Sequence, residues 1–220
     1  MSSAPFAPRV LRAGLVIVDA ANGRVLRAIA LQYNPDALQR TLQIQGAGEG
    51  GDRLEALRLK GPPVETLRIE AELDAADQLE FPDERNNRLA VEVGVGAQLA
   101  ALEALLYPPS AQLAAQDALA ARGTIEVLPV LAPLPLFVWS RQRVLPVRIT
   151  EFSIHEEAFD PALNPIRAKV TLGLRVLSIN DVPFDSTAGT LFRAHQQQKE
   201  ALAARSGGVP LESFGIGGLL

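Results

Sequence analysis

Cysteine is absent from this 220-residue chain, and it has only two histidines, one tryptophan and one methionine. Without cysteine the chain forms no disulfide and offers no thiolate to a metal ion, which fits a reducing compartment. The two histidines, His155 and His195, lie far apart in the sequence. The residues most often used as nucleophile, general base or metal ligand are therefore scarce.

Long hydrophobic runs and an excess of positive charge are missing too. No stretch approaches the roughly 20 apolar residues that span a bilayer. Residues 9–18 resemble a signal peptide, but the apolar run is too short for one and Asp19 interrupts it. The net charge of −4 and a pI near 5.3 provide no basic surface for nucleic acid or an anionic membrane. We expect a protein made in the cytoplasm, with neither nucleic acid nor membrane as a partner.

Motifs that would support catalysis are incomplete. His155 precedes Glu156 and Glu157, but neighbouring side chains of a strand point to opposite faces, which favours a polar strand end over a metal or acid–base site. The segment 94–96, Gly-Val-Gly, resembles a dinucleotide loop, but Leu99 stands where the third glycine belongs. Nucleophile elbow, phosphate loop and HExxH pair are all lacking. The sequence predicts a protein that is not an enzyme, with no cofactor and no metal.

The first third of the chain has the pattern of antiparallel strands. Apolar runs at 13–19 and 24–33 flank Ala20-Ala21-Asn22-Gly23, in which Asn-Gly indicates a hairpin turn. A third strand is indicated near residues 38–44. From 65 to 73 apolar and charged residues alternate strictly, which predicts a strand with one buried and one wet face.

The middle of the chain changes to helical spacing. Apolar positions in 89–107 predict one helix, which Pro108-Pro109 stops. A second helix over 111–121 would take Ser110 as its cap, and Gly123 would end it.

Residues 125–178 again indicate strands. Runs at 136–139 and 144–154 flank a polar turn, and the apolar phase slips between Ile149 and Phe152, which predicts a bulge. A turn between Asp160-Pro161 and Asn164-Pro165 precedes a long strand over 167–176. Its outer face is basic and is either wet or a charged inter-subunit face; the basic residues are Arg167, Lys169 and Arg175.

Four segments in this order carry a resemblance. They are LQYNPDAL (31–38), LRLKGPPVETLRIEAELD (57–74), LAALEALLYP (99–108) and FVWSRQRVLPVRITEFSIHEEAFDPALNPIRAKVTLGLRV (137–176). Together they resemble the contractile injection system tube protein family, which is related to phage tail-tube and tube-initiator proteins. The resemblance covers residues 10–178. The positions that match the family signature are Asn34, Pro35, Gly61, Asp74, Trp139, Phe152, Asp160 and Pro165.

The chain departs from the family pattern in three places. Ser140 stands where a glycine is usual, and the segment 110–128 is longer than the common form. Several members carry a C-terminal LysM module that binds peptidoglycan, but residues 179–220 lack its tyrosine-led GDTL stretch. No peptidoglycan binding is therefore expected.

The resemblance implies a mainly β (α+β) fold, an antiparallel tail-tube-like β-barrel or sandwich with a packed helix. It also implies a hexameric ring, and partners that include a VgrG-like spike, the inner tube and baseplate or sheath proteins. The expected role is a tube initiator or baseplate-hub ring in a phage-tail-like contractile particle. The alternatives are a bulk inner-tube or tube-cap protein of the same system, and a small-molecule-binding β-barrel.

The C-terminal part has a separate expected role. A last helix begins at a cap, Ser186 or Thr187, and runs to about Arg205. Its apolar positions are sparse, so a partner is needed for stability. We divide the chain into a tail-tube-like domain (1–185) and a helix with an apolar, glycine-rich docking tail (186–220). The candidate docking residues are Leu191, Phe192, Phe214 and Ile216.

Overall fold

The computed structural model describes residues 11–46, 58–122 and 132–217. Within these ranges seven strands, each antiparallel to its neighbours, form one sheet in the order β2-β1-β5-β6-β7-β4-β3. The predicted mainly antiparallel β fold with added helices is confirmed. The strands are β1 (Gly14–Val18), β2 (Val25–Ala30), β3 (Gln39–Gln43), β4 (Val64–Asp74), β5 (Leu134–Ser140), β6 (Arg143–Phe159) and β7 (Pro165–Val176).

Five α-helices and two short 3₁₀ helices accompany the sheet in the described residues. The last α-helix packs against β6. The α-helices are α1 (Ala76–Leu79), α2 (Arg88–Val93), α3 (Gly96–Glu103), α4 (Ser110–Ala121) and α5 (Thr187–Arg205), and the 3₁₀ helices are Arg85–Asn87 and Leu211–Phe214.

The prediction of one continuous helix over 89–107 is wrong, because the chain breaks at Gly94 into α2 and α3. Gly94 has a φ of 57°. A Cβ at this position would lie 2.0 Å from the carbonyl oxygen of Pro165, which accepts a hydrogen bond from the Val95 N–H at 2.8 Å. The start of β7 therefore takes the amide that a continuous helix would keep, and only glycine fits the approach.

The two predicted helix caps have different outcomes. Ser110 is the first residue of α4 rather than its cap, and the position before it, Pro109, has no side-chain donor or acceptor to cap the helix. At α5 the Ser186 hydroxyl accepts the Gly189 N–H at 3.1 Å, so that cap is confirmed. The predicted stop at Gly123 lies outside the described residues.

The predicted hairpin turns are confirmed. Between β1 and β2 the Asp19 carboxylate accepts the Ala21 N–H at 2.9 Å, and Gly23 has a φ of 71°. Between β5 and β6, Ser140 pairs with Arg143 across the turn.

Strand β6, 17 residues long, joins the two halves of the sheet, which are β2-β1-β5 and β7-β4-β3. Its first residues pair with β5, and from Val147 onwards it pairs with β7. The register shifts between Ile149 and Glu151, which confirms the predicted bulge. A bulge increases local twist and bends the strand, so one strand can serve both pairings.

The inner faces of both halves share one core. Alternate residues of β4 and β7 point into it, together with residues of β1, β5, β6, α3 and α5. Burying this apolar face is the main stabilising term for the fold. Its most deeply buried members include Leu15, Leu67, Phe137, Leu145, Val147, Val170, Leu172 and Leu174.

On the outer face, a glycine in β7 permits an ion pair across three strands. Gly173 pairs with Arg68 of β4 on one side and with Glu151 of β6 on the other. The Arg68 guanidinium reaches over Gly173 to the Glu151 carboxylate, with an N–O distance of 2.5 Å. A Cβ at Gly173 would lie 2.7 Å from the Cβ of Glu151, so a side chain there requires the strands to shift.

Gly173→Ala is therefore expected to lower the free energy of unfolding by about 1–3 kcal/mol, the usual cost of overpacking. The measurement is urea denaturation followed by circular dichroism. Gly46→Ala is the matched control, because a Cβ at Gly46 meets nothing within 4 Å. Equal stability of the two variants would contradict this account of β7.

Candidate functional site

The two strands at the ends of the sheet expose both backbone and apolar side chains. Strands β2 and β3 each pair on one side only with the described strands. All five residues of β3 and five of the six residues of β2 are exposed. We call Val25 and Leu26 the β2 edge patch, and Leu42 and Ile44 the β3 edge patch. These side chains are 60%, 47%, 43% and 74% exposed, respectively.

An exposed strand edge with apolar side chains is a template for pairing with another chain. Soluble proteins blunt such edges with lysine, proline or inward-pointing charge. Strands β2 and β3 contain no lysine or proline and one arginine each, Arg27 and Arg40. The two edges are thus suited to pairing with other strands, and they are the main candidate assembly surfaces of the chain.

The outer face of the sheet is charged but balanced within the subunit. Arg167 contacts Asp74 with an N–O distance of 2.7 Å. Two further pairs on the same face join Lys169 to Glu157 at 3.4 Å and Arg175 to Asp181 at 2.6 Å. All three basic residues of the predicted basic face therefore have an acidic partner. Because these charges are already paired within the subunit, a solvent-exposed surface explains this face better than a charged contact between subunits does.

Two signature residues connect separate elements of the fold. The Asn34 side-chain oxygen accepts the Ala13 N–H at 2.8 Å, and its amide donates to the Leu11 carbonyl at 2.7 Å. Pro35 follows directly and is half-buried. Asp74 ends β4, and besides pairing with Arg167 its carboxylate accepts the Ala76 N–H at 2.8 Å, at the start of α1.

Asp160 and Pro165 shape the turn between β6 and β7. The Asp160 carboxylate accepts backbone N–H groups of Ala162 and Asn164, each at 2.8 Å, and the Asn164 side-chain amide at 2.8 Å. The hydrogen bond from the Asn164 side chain is the main reason that the pKa of Asp160 is lowered. Pro165 opens β7 and pairs with Phe159.

The remaining signature residues lie against the core or a loop. Trp139 is half-buried beside Phe137, with ring centroids 6.0 Å apart, which fits the interpretation as a core anchor. Phe152 is also half-buried against the core. Gly61 sits in a bend facing Asn180, whose side chain would lie 2.8 Å from a Cβ. That these eight positions are a family signature stays a prediction.

The candidate docking residues fall into two groups. Phe192 is buried in the central core, and Leu191 packs against a second, smaller cluster. Both use their apolar surface inside the subunit, because α5 rests on β6. Phe214 and Ile216 are exposed, so the docking prediction now concerns these two residues. The domain boundary at residue 185 stays a prediction.

The two histidines have opposite environments. His155 is exposed, and its Nε2 lies 3.5 Å from a Glu157 oxygen. No group of three or more potential metal-ligating side chains is found in ranges 11–46, 58–122 and 132–217. His195 is buried between α5 and the β5–β6 turn. The sequence did not predict this burial, because three glutamines follow His195 directly. The available signal was its spacing of three from Phe192.

Comparisons with known proteins add little to this description. Neither a protein-family model nor a curated protein matches the chain. One similar solved chain comes from a structure described as "Tail of empty GTA particle computed with helical refinement, C6 symmetry". The two chains are 12% identical, the match covers 75% of this chain and 90% of that chain, and the TM-score is 0.28. A TM-score this low carries no weight for fold or function.

Within the part of the chain that the structure describes, no helix has both the length and the apolar character that a membrane crossing requires.

The Asp160 turn is expected to contribute stability that depends on pH. A lowered pKa in the folded state means that this contribution is present above the ordinary aspartate pKa and is lost as pH falls through the lowered value. Asp160→Asn should therefore destabilise the protein at neutral pH and make little difference at strongly acid pH. Urea denaturation across pH checks this, with the exposed Asp117→Asn as control. A pH-independent difference between wild type and Asp160→Asn would contradict it.

Proposed function

We propose that the chain is a structural subunit of a phage-tail-like contractile injection system that assembles into a ring through its two open sheet edges. The observation that carries this proposal is the pair of exposed edge strands, β2 and β3, with apolar side chains on each. The type of particle is inferred from the order of the four sequence segments that resemble the contractile injection system tube protein family. The finer role we propose is that of a tube-initiator or baseplate-hub protein, which joins spike and inner tube.

The geometry supports a head-to-tail contact. The two edges belong to different strands at opposite ends of the sheet, so an edge of one copy meets a different edge of the next. Contacts of this heterologous kind close into rings when the rotation between copies is a simple fraction of a turn. Pairing β2 with a neighbour's β3 would continue the sheet around such a ring and would cover both edge patches.

The C-terminal segment favours an adaptor role over that of a bulk tube protein. Helix α5 adds a surface beyond the sheet, and Phe214 and Ile216 beyond it remain exposed. A tube-initiator must contact a ring of its own copies and also a different component, which needs two kinds of surface. A bulk inner-tube or tube-cap protein remains the alternative, and self-polymerisation into long tubes without a partner would favour it.

A small-molecule-binding barrel is a weaker candidate. The inner face of the sheet is covered by packed core side chains such as Leu172 and Leu174, which are fully buried. An open cavity of about 880 Å³ lies beside β2, and its lining mixes apolar residues such as Leu73 and Leu102 with charged ones such as Arg27 and Asp77. A second cavity of about 570 Å³ has a mainly apolar lining that includes Leu134 and Leu177. Both cavities are open to solvent, whereas typical small-molecule sites enclose most of the ligand.

A charge placed on one edge patch tests the proposal. Leu42→Lys should shift the protein from a hexameric ring towards monomer, because a lysine on an edge strand opposes pairing. Native mass spectrometry measures the distribution of oligomers, first for the chain alone and then with spike and inner-tube proteins. Val25→Lys on the other edge should have the same effect, since both edges belong to one contact.

The matched control is Leu113→Lys. Leu113 lies on α4, outside both edge strands, and its exposure of 50% is close to the 43% of Leu42. This variant should assemble like the wild type. A wild-type chain that stays monomeric alone and with the partner proteins would overturn the proposal.

A further inference from the structure

A small pocket lies where α5 crosses the β5–β6 turn and strand β3. Its volume is about 250 Å³, enough for a single side chain or a small organic ion but not for a nucleotide. Three cationic side chains line it, although the chain as a whole is acidic. The residues that matter here are Arg40, Trp139, Gln142, Arg143, His195 and Lys199.

Positive charge exceeds negative charge around this pocket. The Glu65 carboxylate, only 5% exposed, contacts Arg40 at 2.9 Å and Lys199 at 3.9 Å. One carboxylate is thus shared by two cations. Arg143 has no acidic partner among the described residues, so its guanidinium is available to another anion.

His195 lines the same pocket, and its Nδ1 is covered by neighbouring atoms. The residue is 7% exposed, and its Nδ1 has no hydrogen-bond partner among the described residues. Burial is the main cause that lowers the pKa of His195; Lys199 and Arg143 lower it further, while the Gln142 backbone and Glu65 oppose them. The charged groups around His195 therefore decide how readily it takes up a proton, and an added anion would favour the imidazolium.

We propose that this pocket binds a carboxylate group, which pairs with the Arg143 guanidinium beside the His195 imidazole. A guanidinium matches the planar geometry of a carboxylate with two parallel hydrogen bonds. The bound anion also stabilises the imidazolium, so binding and protonation of His195 support each other. The carboxylate comes either from a free small acid or from a glutamate or aspartate of another subunit. The site exists in one chain, so this inference does not depend on ring assembly.

The test uses the full chain carrying His155→Gln, which leaves His195 as the one histidine signal in the proton NMR spectrum. The probe is N-acetylglutamate amide, and N-acetylglutamine amide is the neutral control. The expected result is a pKa of His195 that rises by about one unit when the acid is present, and binding that strengthens as pH falls. The glutamine probe should leave the pKa unchanged.

Two arginine variants test which residue holds the anion. Arg143→Gln should weaken binding of the acid about tenfold, the usual effect of losing a charge-assisted hydrogen bond. Arg148→Gln is the control, because Arg148 is an exposed arginine of the same strand outside this pocket. Equal losses in both variants would show nonspecific attraction and would overturn the proposal.

Two further experiments identify the source of the carboxylate and the class of anion that binds. If an acidic side chain of a second copy is the ligand, the acid probe should weaken self-association of the wild type and not of Arg143→Gln. If the ligand is a free small acid, the probe should bind without affecting self-association. Inorganic phosphate that binds as tightly as the acid, or an unchanged His195 signal in every arm, would overturn the proposal.

Discussion

Strand β6 must pair with β5 at its start and with β7 along the rest of its length, and the rest of the structure depends on that constraint. Strand β6 leaves β5 near Val147 and continues along β7 to the hairpin tip. The bulge between Ile149 and Glu151 bends it. The bend brings the inner faces of both halves of the sheet onto one core. Gly173, opposite Glu151, leaves room for this arrangement and for the ion pair that crosses it.

Among the described strands, the same arrangement leaves two edges without partners. Strand β6 occupies the middle of the sheet. Strands β2 and β3, which the first third of the chain forms, therefore lie at opposite ends. The charged face between them is balanced by pairs within the subunit, so it does not require a partner. The apolar edges favour one, since their side chains are hydrophobic and an open strand edge readily pairs with another strand. Assembly through the edges is the physical basis of the proposed function.

The sequence predicted features that depend on local pattern. Alternation over 65–73 identified the buried face of β4, and the phase slip after Ile149 identified the bulge. Features set by distant contacts were not predictable. The break at Gly94 depends on the Pro165 carbonyl. The burial of His195 depends on the position of α5 against the β5–β6 turn. Sheet order, which decides which strands become edges, likewise has no local signal.

Hydrogen exchange tests the central claim most directly. Amide protons of β2 and β3 would be compared in dilute protein and in the assembled state, with β4 and β7 as internal references. The account predicts that assembly slows exchange along both edge strands and leaves the central strands unchanged. Slow exchange of both edges in the isolated chain, or assembly that leaves them fast, would contradict it.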